Sequence, residues 1–470
     1  MFKNIIGGKI FCGLDIGSKR LKASVVRVRP STSSFDAFHL FRTTLILSNG
    51  SLRMDAEPCR SIQNIKSVEL LGVQEFPTNG FSRFAASDLK GLTECIEQTI
   101  SALSKQVGVK LKDIQLGVGG EWIETRLSHA VIPLLDKGNK VVSFADVKRV
   151  NHQARLLGMK MDEDVIHDFA QSYSLDEQTI HLNPVGLYAR TMSVDMLLII
   201  VNTIRLNHFI KALQEARLEV SNLFFTSYAA AEFSVDHQAK IDGCALIDIG
   251  ANSTSILIFK DGFLRSVMNI PLGGDHATQS IAQNLRLSFD LAEEIKKSYG
   301  MAFSGSEGHP PGPGVDSEQN AAGVGVSPEW EMITDESVLV KSETGYLPVK
   351  REVICRALEP EITKLVAAIE KSLKGPFYSQ LKAGIIMVGG SSLLAGLLER
   401  IEKGTNLPVR LGKINCAGAQ LNNAALFSSS IGLARLGFTK TWGYNLAASP
   451  HLNWRQGLSN RIKELYQEYF

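Results

Sequence analysis

Gly13-Leu14-Asp15-Ile16-Gly17-Ser18 and, about 230 residues later, Leu246-Ile247-Asp248-Ile249-Gly250-Ala251-Asn252-Ser253-Thr254 are two versions of one pattern. In each, an apolar strand runs into a turn of Asp, Gly and hydroxyl residues. It leaves as a second apolar strand, Ala23 to Val28 in the first and Ile256 to Phe259 in the second. Glycine lets backbone N–H groups approach phosphate closely, and the hydroxyls of Ser18, Ser253 and Thr254 add donors. Asp15 and Asp248 are suited to holding Mg²⁺ through water. Two such hairpins can grip one phosphate chain from opposite sides. One Asp-x-Gly alone is usually just a turn. A third segment, Ala383 to Ser392, is an apolar strand that ends in Gly389-Gly390-Ser391, about 140 residues beyond Asp248. With the helix-like Leu393 to Glu402 behind it, this turn can bring backbone flat against a nucleoside.

Composition is compatible with this reading. A chain of 470 residues, 44% hydrophobic and 21% charged, makes two to four domains with an ample core. Lys+Arg 50 against Asp+Glu 48 gives a formal charge of +2, so the total gives no reason to expect nucleic-acid binding. The six cysteines are scattered without Cys-x-x-Cys pairs, which supports neither a disulfide framework nor a structural metal. The N-terminus reaches the Asp15 turn too soon for a signal peptide. Met196 to Val201, the longest apolar stretch, is far short of the ~20 residues that span a bilayer.

Along the chain, residues 30 to 65 read as a peripheral hairpin or loop. Leu89, Leu92, Ile96, Ile100 and Leu103 share one helical face. A strand at Ile114 to Val118, Gly119-Gly120, a strand at Ile123 to Val131 and a helix opening at Ser143 follow, which together suggest a compact α+β insert. Lys260-Asp261-Gly262-Phe263 has the chemistry of a type I′ turn. A helix is expected to open near Asp290 and Glu293 and to stop at Gly300. From Ser304 to Pro328 the chain is rich in Gly, Pro, Ser and Ala and carries too few apolar side chains to order itself. At the C-terminus, Trp454, Leu458, Ile462, Leu465, Tyr469 and Phe470 form one stripe on a helix, with Arg455, Arg461 and Lys463 beside it. Such a helix suits a membrane interface, although Glu464 and Glu468 dilute its positive charge and by composition alone favour docking on protein.

The three turns in this order resemble the actin-like ATPase superfamily. More narrowly, the chain resembles the FtsA family of bacterial cell-division proteins over nearly its whole length. The resemblance is carried by Asp15-Ile16-Gly17-Ser18 with Lys22, Asn183-Pro184-Val185-Gly186-Leu187, Asp248 to Thr254, Pro271-Leu272-Gly273-Gly274, Ala292 to Lys296 and Gly389-Gly390. It implies an α/β, two-lobed actin-like fold built from two ribonuclease-H-like domains. The first lobe would take residues 1–86, 169–203 and 429–438, with an SHS2-type insert at 87–168. The second would take 204–270 and 350–428, with a small subdomain at 271–349. A linker at 439–452 and a membrane-targeting amphipathic helix at 453–470 would follow.

The resemblance also implies ATP and Mg²⁺ between the lobes. Asp15 and Asp248 would place the metal and attacking water, and Lys22 would neutralise phosphate charge. Gly17, Ser18, Gly250, Ser253 and Thr254 would donate to phosphate, with Gly273 and Gly274 beside them. Gly389, Gly390 and Ser391 would face the nucleoside, and Glu293 and Lys296 would border base or ribose. Implied partners are the C-terminal tail of FtsZ, other divisome proteins, further copies of the chain in protofilaments, and the cytoplasmic face of the membrane at the septum. Trp454, Leu458, Arg461, Ile462, Leu465, Tyr469 and Phe470 would make the membrane contact.

One loop departs from the family pattern. The family's second loop usually runs Asp-Ile-Gly-Gly-Gly-Thr-Thr-Asp, whereas here Ala251 and Asn252 replace glycines and Ser255 replaces the final acid. Losing a carboxylate there removes a metal or water ligand, so slow or negligible hydrolysis is expected. The altered loop also resembles that of the PilM family of type IV pilus assembly. A sugar kinase of the same superfamily is a third reading, but it needs a positioned base that no motif here supplies.

Overall fold

The computed structural model describes residues 9–30, 65–79, 88–134, 140–302, 345–413 and 424–442, with short pieces at 81–82, 85–86, 337–342 and 417–418. The loops expected at 30–65 and 304–328 fall almost wholly outside these residues, and the terminal stripe from Trp454 to Phe470 falls outside them entirely.

Both Asp-containing segments fold as hairpins. Strands β1 (Lys9–Ile16) and β2 (Arg20–Pro30) pair antiparallel, and β3 (Ile65–Pro77) adds to β2. After helix α1 (Leu89–Val107), β4 (Asp113–Val118) returns parallel to β1. The chain then leaves to build a separate sheet from β5 (Ile123–Pro133), β6 (Glu163–Leu175), β7 (Thr179–His181) and β8 (Thr191–Asn202), in the order β7-β6-β8-β5. Helix α2 (Phe144–Leu157) opens with a capping box between Ser143 and Asp146 and covers this sheet with Val150 and Ala154. Helix α3 (Thr203–Glu215) brings the chain back, and β9 (Glu219–Phe225) pairs parallel with β4.

Two short helices, α4 (Thr226–Ser234) and α5 (His237–Asp242), lead into the second lobe. There β10 (Cys244–Ile249), β11 (Thr254–Lys260) and β12 (Phe263–Ile270) form an antiparallel meander. The turn between β11 and β12 has positive φ at both Asp261 (55°) and Gly262 (81°), as a type I′ turn requires. Helices α6 (Gly274–Leu285) and α7 (Phe289–Tyr299) follow, then the hairpin β13 (Ser337–Ser342) and β14 (Gly345–Lys350) and helix α8 (Arg351–Leu373). Helix α7 is capped by Ser288, two residues earlier than expected, because its hydroxyl reaches the Leu291 N–H; it does end at Gly300. β15 (Ile385–Val388), α9 (Leu397–Thr405) and β16 (Val409–Leu411) complete the lobe.

The sheet orders are β9-β4-β1-β2-β3 and β16-β15-β10-β11-β12, the first with a small added strand at Ala417–Gly418. Read from the first strand of each lobe, they are one topology built twice: an antiparallel meander with two parallel strands on its inner edge. This is the two-lobed actin-like fold.

Three expected boundaries change. Helix α1 and β4 belong to the first lobe, because β4 hydrogen-bonds to β1 and β9, so the insert sheet runs from β5 to β8 and not from residue 87 to 168. β9 likewise belongs to the first lobe, although residues from 204 were expected in the second. The last described helix, α10 (Ala424–Trp442), lies against β1, β2 and α4, so it covers part of both the stretch expected in the second lobe and the expected linker. Its approach is close. A Cβ on Gly13 would sit 2.1 Å from the Ser430 carbonyl oxygen, so only glycine allows this contact.

Candidate functional site

The two hairpin turns face each other across a cleft of about 650 Å³ between the lobes. The turns share one backbone geometry. The Gly17 N–H donates to the Arg20 carbonyl at 3.2 Å, and the Gly250 N–H to the Ser253 carbonyl at 2.9 Å. Each closes a two-residue loop, Ser18-Lys19 in one case and Ala251-Asn252 in the other.

Asp15 and Asp248, the last acids before each turn, line the cleft. Asp15 is only 8% exposed and accepts from the Ser429 hydroxyl on α10 at 2.6 Å. Asp248 accepts from the Ser227 hydroxyl on α4 at 2.8 Å. Burial pushes both carboxyls above the usual carboxylate range. Lys22 opposes the rise at both, each serine opposes it at its own aspartate, and the charge of Asp15 adds to it at Asp248. Lys22 stands directly across the strand pair from Asp15, and Ser255 occupies the matching place across from Asp248. The charge of Lys22 therefore bears on both acids.

The second loop is stitched to the third turn. The Gly250 carbonyl accepts from the Gly274 N–H at 3.0 Å and from the Ser391 hydroxyl at 2.9 Å, and the Ala251 carbonyl accepts from the Asp275 N–H at 2.7 Å. Gly389 adopts φ 90°, and a Cβ there would lie 2.5 Å from the Ile249 carbonyl and 2.6 Å from an Asp248 carboxylate oxygen. Glycine is required at this crossing on both counts.

On the far side of the cleft, Lys296 donates to the Gly274 carbonyl at 2.9 Å and to Thr278 at 2.7 Å, and it pairs with Glu293 at 2.7 Å. Burial alone would raise the Glu293 carboxyl, but Lys296, Thr278 and Lys297 together pull it down to about 2. Burial lowers Lys296 itself, against the pull of Glu293. These two residues thus fasten the start of α6 to α7, with the buried ammonium turned into the protein.

Asp15, Gly17, Ser18, Lys22, Asp248, Gly250, Ser253, Gly274, Glu293, Lys296, Gly389, Gly390 and Ser391 all line the cleft. Thr254 and Gly273 do not. Thr254 is fully buried and its hydroxyl donates to the Leu272 carbonyl at 2.8 Å, so it braces the turn from behind. Gly273 is pressed against the second loop, where a Cβ would meet the Ala251 carbonyl oxygen at 2.5 Å. The sequence reading missed Lys19, Thr226, Ser227, Asp275, Arg351 and Ser429, all in the cleft wall. The run Ser428-Ser429-Ser430 before Gly432 is a small-residue stripe that signals close helix packing, but nothing in it names Asp15 as the partner.

A family model described as cell division protein FtsA matches residues 245–432, and one described as the SHS2 domain inserted in FTSA matches residues 120–200. The second span agrees with the insert sheet seen here. The cell division protein FtsA of Pseudomonas aeruginosa is 24% identical over 442 residues, covering 93% of this chain and 91% of that protein. The FtsA of Escherichia coli K12 is also 24% identical, covering 79% and 84%, and that of Bacillus subtilis is 22% identical, covering 75% of each. Among solved structures, a chain of the PilM-PilN type IV pilus biogenesis complex superposes with a TM-score of 0.56 at 15% identity, covering 91% of this chain and 98% of that one, a likeness of fold. With both family models matched in order, the insert in place and the two-lobed cleft assembled, this chain belongs to the FtsA family of actin-like cell-division proteins.

Proposed function

We propose that the cleft binds ATP with Mg²⁺ and that the protein links FtsZ filaments to the cytoplasmic face of the membrane at the division septum. The observation that carries the nucleotide reading is the convergence of three glycine turns, the buried Asp15 and the half-buried Asp248 on one interlobe cleft. The residues fit the ligand. Two acids raised by burial, with the charge of one lysine acting on both, favour an added cation. Glycines at 273, 274 and 389 keep backbone where any Cβ would collide. Among the described residues the Thr226 hydroxyl, buried in the cleft wall, has no hydrogen-bond partner. Among the described residues no three His, Cys, Asp or Glu side chains gather to hold a metal alone, so Mg²⁺ at Asp15 and Asp248 would draw its other ligands from phosphate and water. Bound Mg²⁺ would neutralise phosphate charge. With Ser255 where the family carries an acid, hydrolysis is slow and nucleotide acts chiefly as a clamp on lobe geometry.

The tether reading rests on family membership and on the terminal sequence. The small subdomain around 271–349 would receive the FtsZ tail, and the insert and lobe edges would join copies into protofilaments. The stripe from Trp454 to Phe470 would bind lipid weakly in one copy and firmly in a filament. Among the described residues no helix is long and apolar enough to cross a membrane. The test is binding of the cognate FtsZ C-terminal peptide with ATP and Mg²⁺ present, by fluorescence anisotropy. A saturable dissociation constant of micromolar order, about −8 kcal/mol, is expected, and no binding up to millimolar peptide overturns the tether reading.

A further inference from the structure

Lys19 is the second residue of the two-residue loop in the first hairpin, yet its side chain leaves its own lobe. Its Nζ lies 3.9 Å from Asp275 Oδ1, in the first turn of α6, and 3.8 Å from the ring centroid of Phe289, the first residue of α7. Both partners belong to the second lobe. The Lys19 backbone stays fixed in the first, because its carbonyl accepts from the Thr78 N–H at 2.9 Å. Asp275 is equally anchored, since its N–H holds the Ala251 carbonyl of the opposing loop. Lys19 and Asp275 also line the cleft, with side chains 29% and 19% exposed, so the contact sits at the rim.

We propose that Lys19 is a strap across the mouth of the cleft, pairing with Asp275 and resting on the face of Phe289, and that it sets how long a bound nucleotide is held. The proposal rests on the nucleotide reading above. A cation over an aromatic face and an ion pair at one rim reinforce each other, because the ring orients the ammonium toward the carboxylate. Opening the lobes must break both at once, whereas a ligand entering an already open cleft meets neither. The strap therefore slows release and leaves entry nearly untouched.

The experiment is stopped-flow release of a fluorescent ATP analogue from the full-length protein with Mg²⁺, comparing wild type with Lys19→Ala, Phe289→Ala, Asp275→Asn and the double variant Lys19→Ala/Phe289→Ala. Each single variant is expected to release about tenfold faster, equivalent to about 1.4 kcal/mol, with association within twofold of wild type. The double variant is expected to be no faster than Lys19→Ala. Unchanged release overturns the strap. So do additive losses in the double variant with ATP affinity falling and AMP affinity intact, which would make Lys19 a phosphate ligand. If wild type binds no nucleotide, the nucleotide reading fails by itself. The strap is then judged by amide hydrogen exchange at residues 274–276, which Lys19→Ala speeds if the strap exists and leaves unchanged if it does not.

Discussion

The two Asp-Gly hairpins are one piece of backbone geometry set in different surroundings. In both, the chain just beyond the third strand of the lobe returns to clasp the loop. In the first lobe the clasp is a threonine: the Thr78 hydroxyl donates to the Gly17 carbonyl at 2.9 Å, and the Thr78 N–H to the Lys19 carbonyl at 2.9 Å. In the second it is the N-terminus of α6, whose Gly274 and Asp275 N–H groups hold the Gly250 and Ala251 carbonyls. A helix N-terminus adds positive potential where phosphate would lie. A backbone clasp has a cost in tolerance, since neither partner can turn aside. The first loop is held partly by side chains that can adjust. The second is held mainly by main chain, through two N–H groups of α6, with the Ser391 hydroxyl beside them.

That contrast is broken most severely by adding one carbon to each side. Gly389→Ala forces a Cβ against the Ile249 carbonyl at 2.5 Å while holding φ near 90°, and both penalties fall on backbone. A loss of about 3 kcal/mol is expected. Calorimetric melting should therefore fall by about 3 °C, and ATP should no longer raise it. In the first lobe, Gly119 lies beyond the equivalent parallel strand, and its added Cβ would meet only the Thr226 side chain, 2.8 Å from the hydroxyl. That side chain can rotate, so Gly119→Ala should cost under about 1 kcal/mol. Equal losses at the two sites would refute the distinction between the loops.

Charge gives the next test. Asp15 faces Lys22 across its strand pair, whereas Asp248 faces Ser255 and also feels Asp15. Either Asp→Asn change relieves buried repulsion, so the ligand-free protein should melt slightly higher while Mg²⁺-dependent ATP affinity falls at least tenfold, about 1.4 kcal/mol. Asp248→Asn should give the larger gain in ligand-free stability, because it removes the acid without a lysine of its own. Differential scanning fluorimetry with and without Mg-ATP reads both effects.

Further from the hairpins, Glu293 ties α7 to the start of α6. Its carboxyl is held at about 2 in the folded protein against an ordinary 4.5. A depressed pKa means that the unfolded chain takes up the proton first, so the stabilisation is complete above about pH 4.5 and is lost as pH falls toward 2. Glu293→Gln should melt lower at neutral pH and show a shallower fall over that acid window. Parallel curves for the two proteins would show that Glu293 contributes nothing to acid stability.

The fold was legible where strand, turn and strand are neighbours in sequence. Asp15 to Lys22 and Asp248 to Ser255 declare themselves because each hairpin is local, and Gly300 and Gly262 end or turn their segments for reasons contained in one residue. Sheet membership was not legible. Helix α1 and β4 show the same apolar spacing whether they belong to a lobe or an insert, and only the partners of β4 decide. The site divides in the same way. The hydroxyl on Asp15 comes from a residue 414 positions away, and that on Asp248 from a helix beyond the insert. Thr254 reads as a phosphate donor by its place in the loop, yet strand alternation turns it inward.

Ser255 carries the smallest effect and the most specific one. It stands where the family pattern has an acid, and its hydroxyl donates instead to Asn269 Oδ1 at 2.8 Å. The Asn269 amide in turn donates to the Ile123 carbonyl at 2.9 Å, at the first residue of the insert sheet. Three further bonds cross the same seam: Thr125 donates to the Val267 carbonyl at 3.2 Å, Gln171 to that of Leu264 at 2.9 Å, and Arg265 to that of Gln171 at 3.0 Å. With those in place, Ser255→Ala should cost only about 0.5–1 kcal/mol, the worth of one hydrogen bond. The global melt would barely register it. Local opening would, because the Asn269 side chain loses the bond that orients it toward Ile123. Amide exchange across residues 123–125 should quicken severalfold in Ser255→Ala, while exchange at 17–20, in the other hairpin, stays as in wild type. A uniform rise in both hairpins would mean that Ser255 only supports general stability. A rise confined to the insert would mean that this chain gave up a carboxylate beside Asp248 and gained a link from its second loop to the insert.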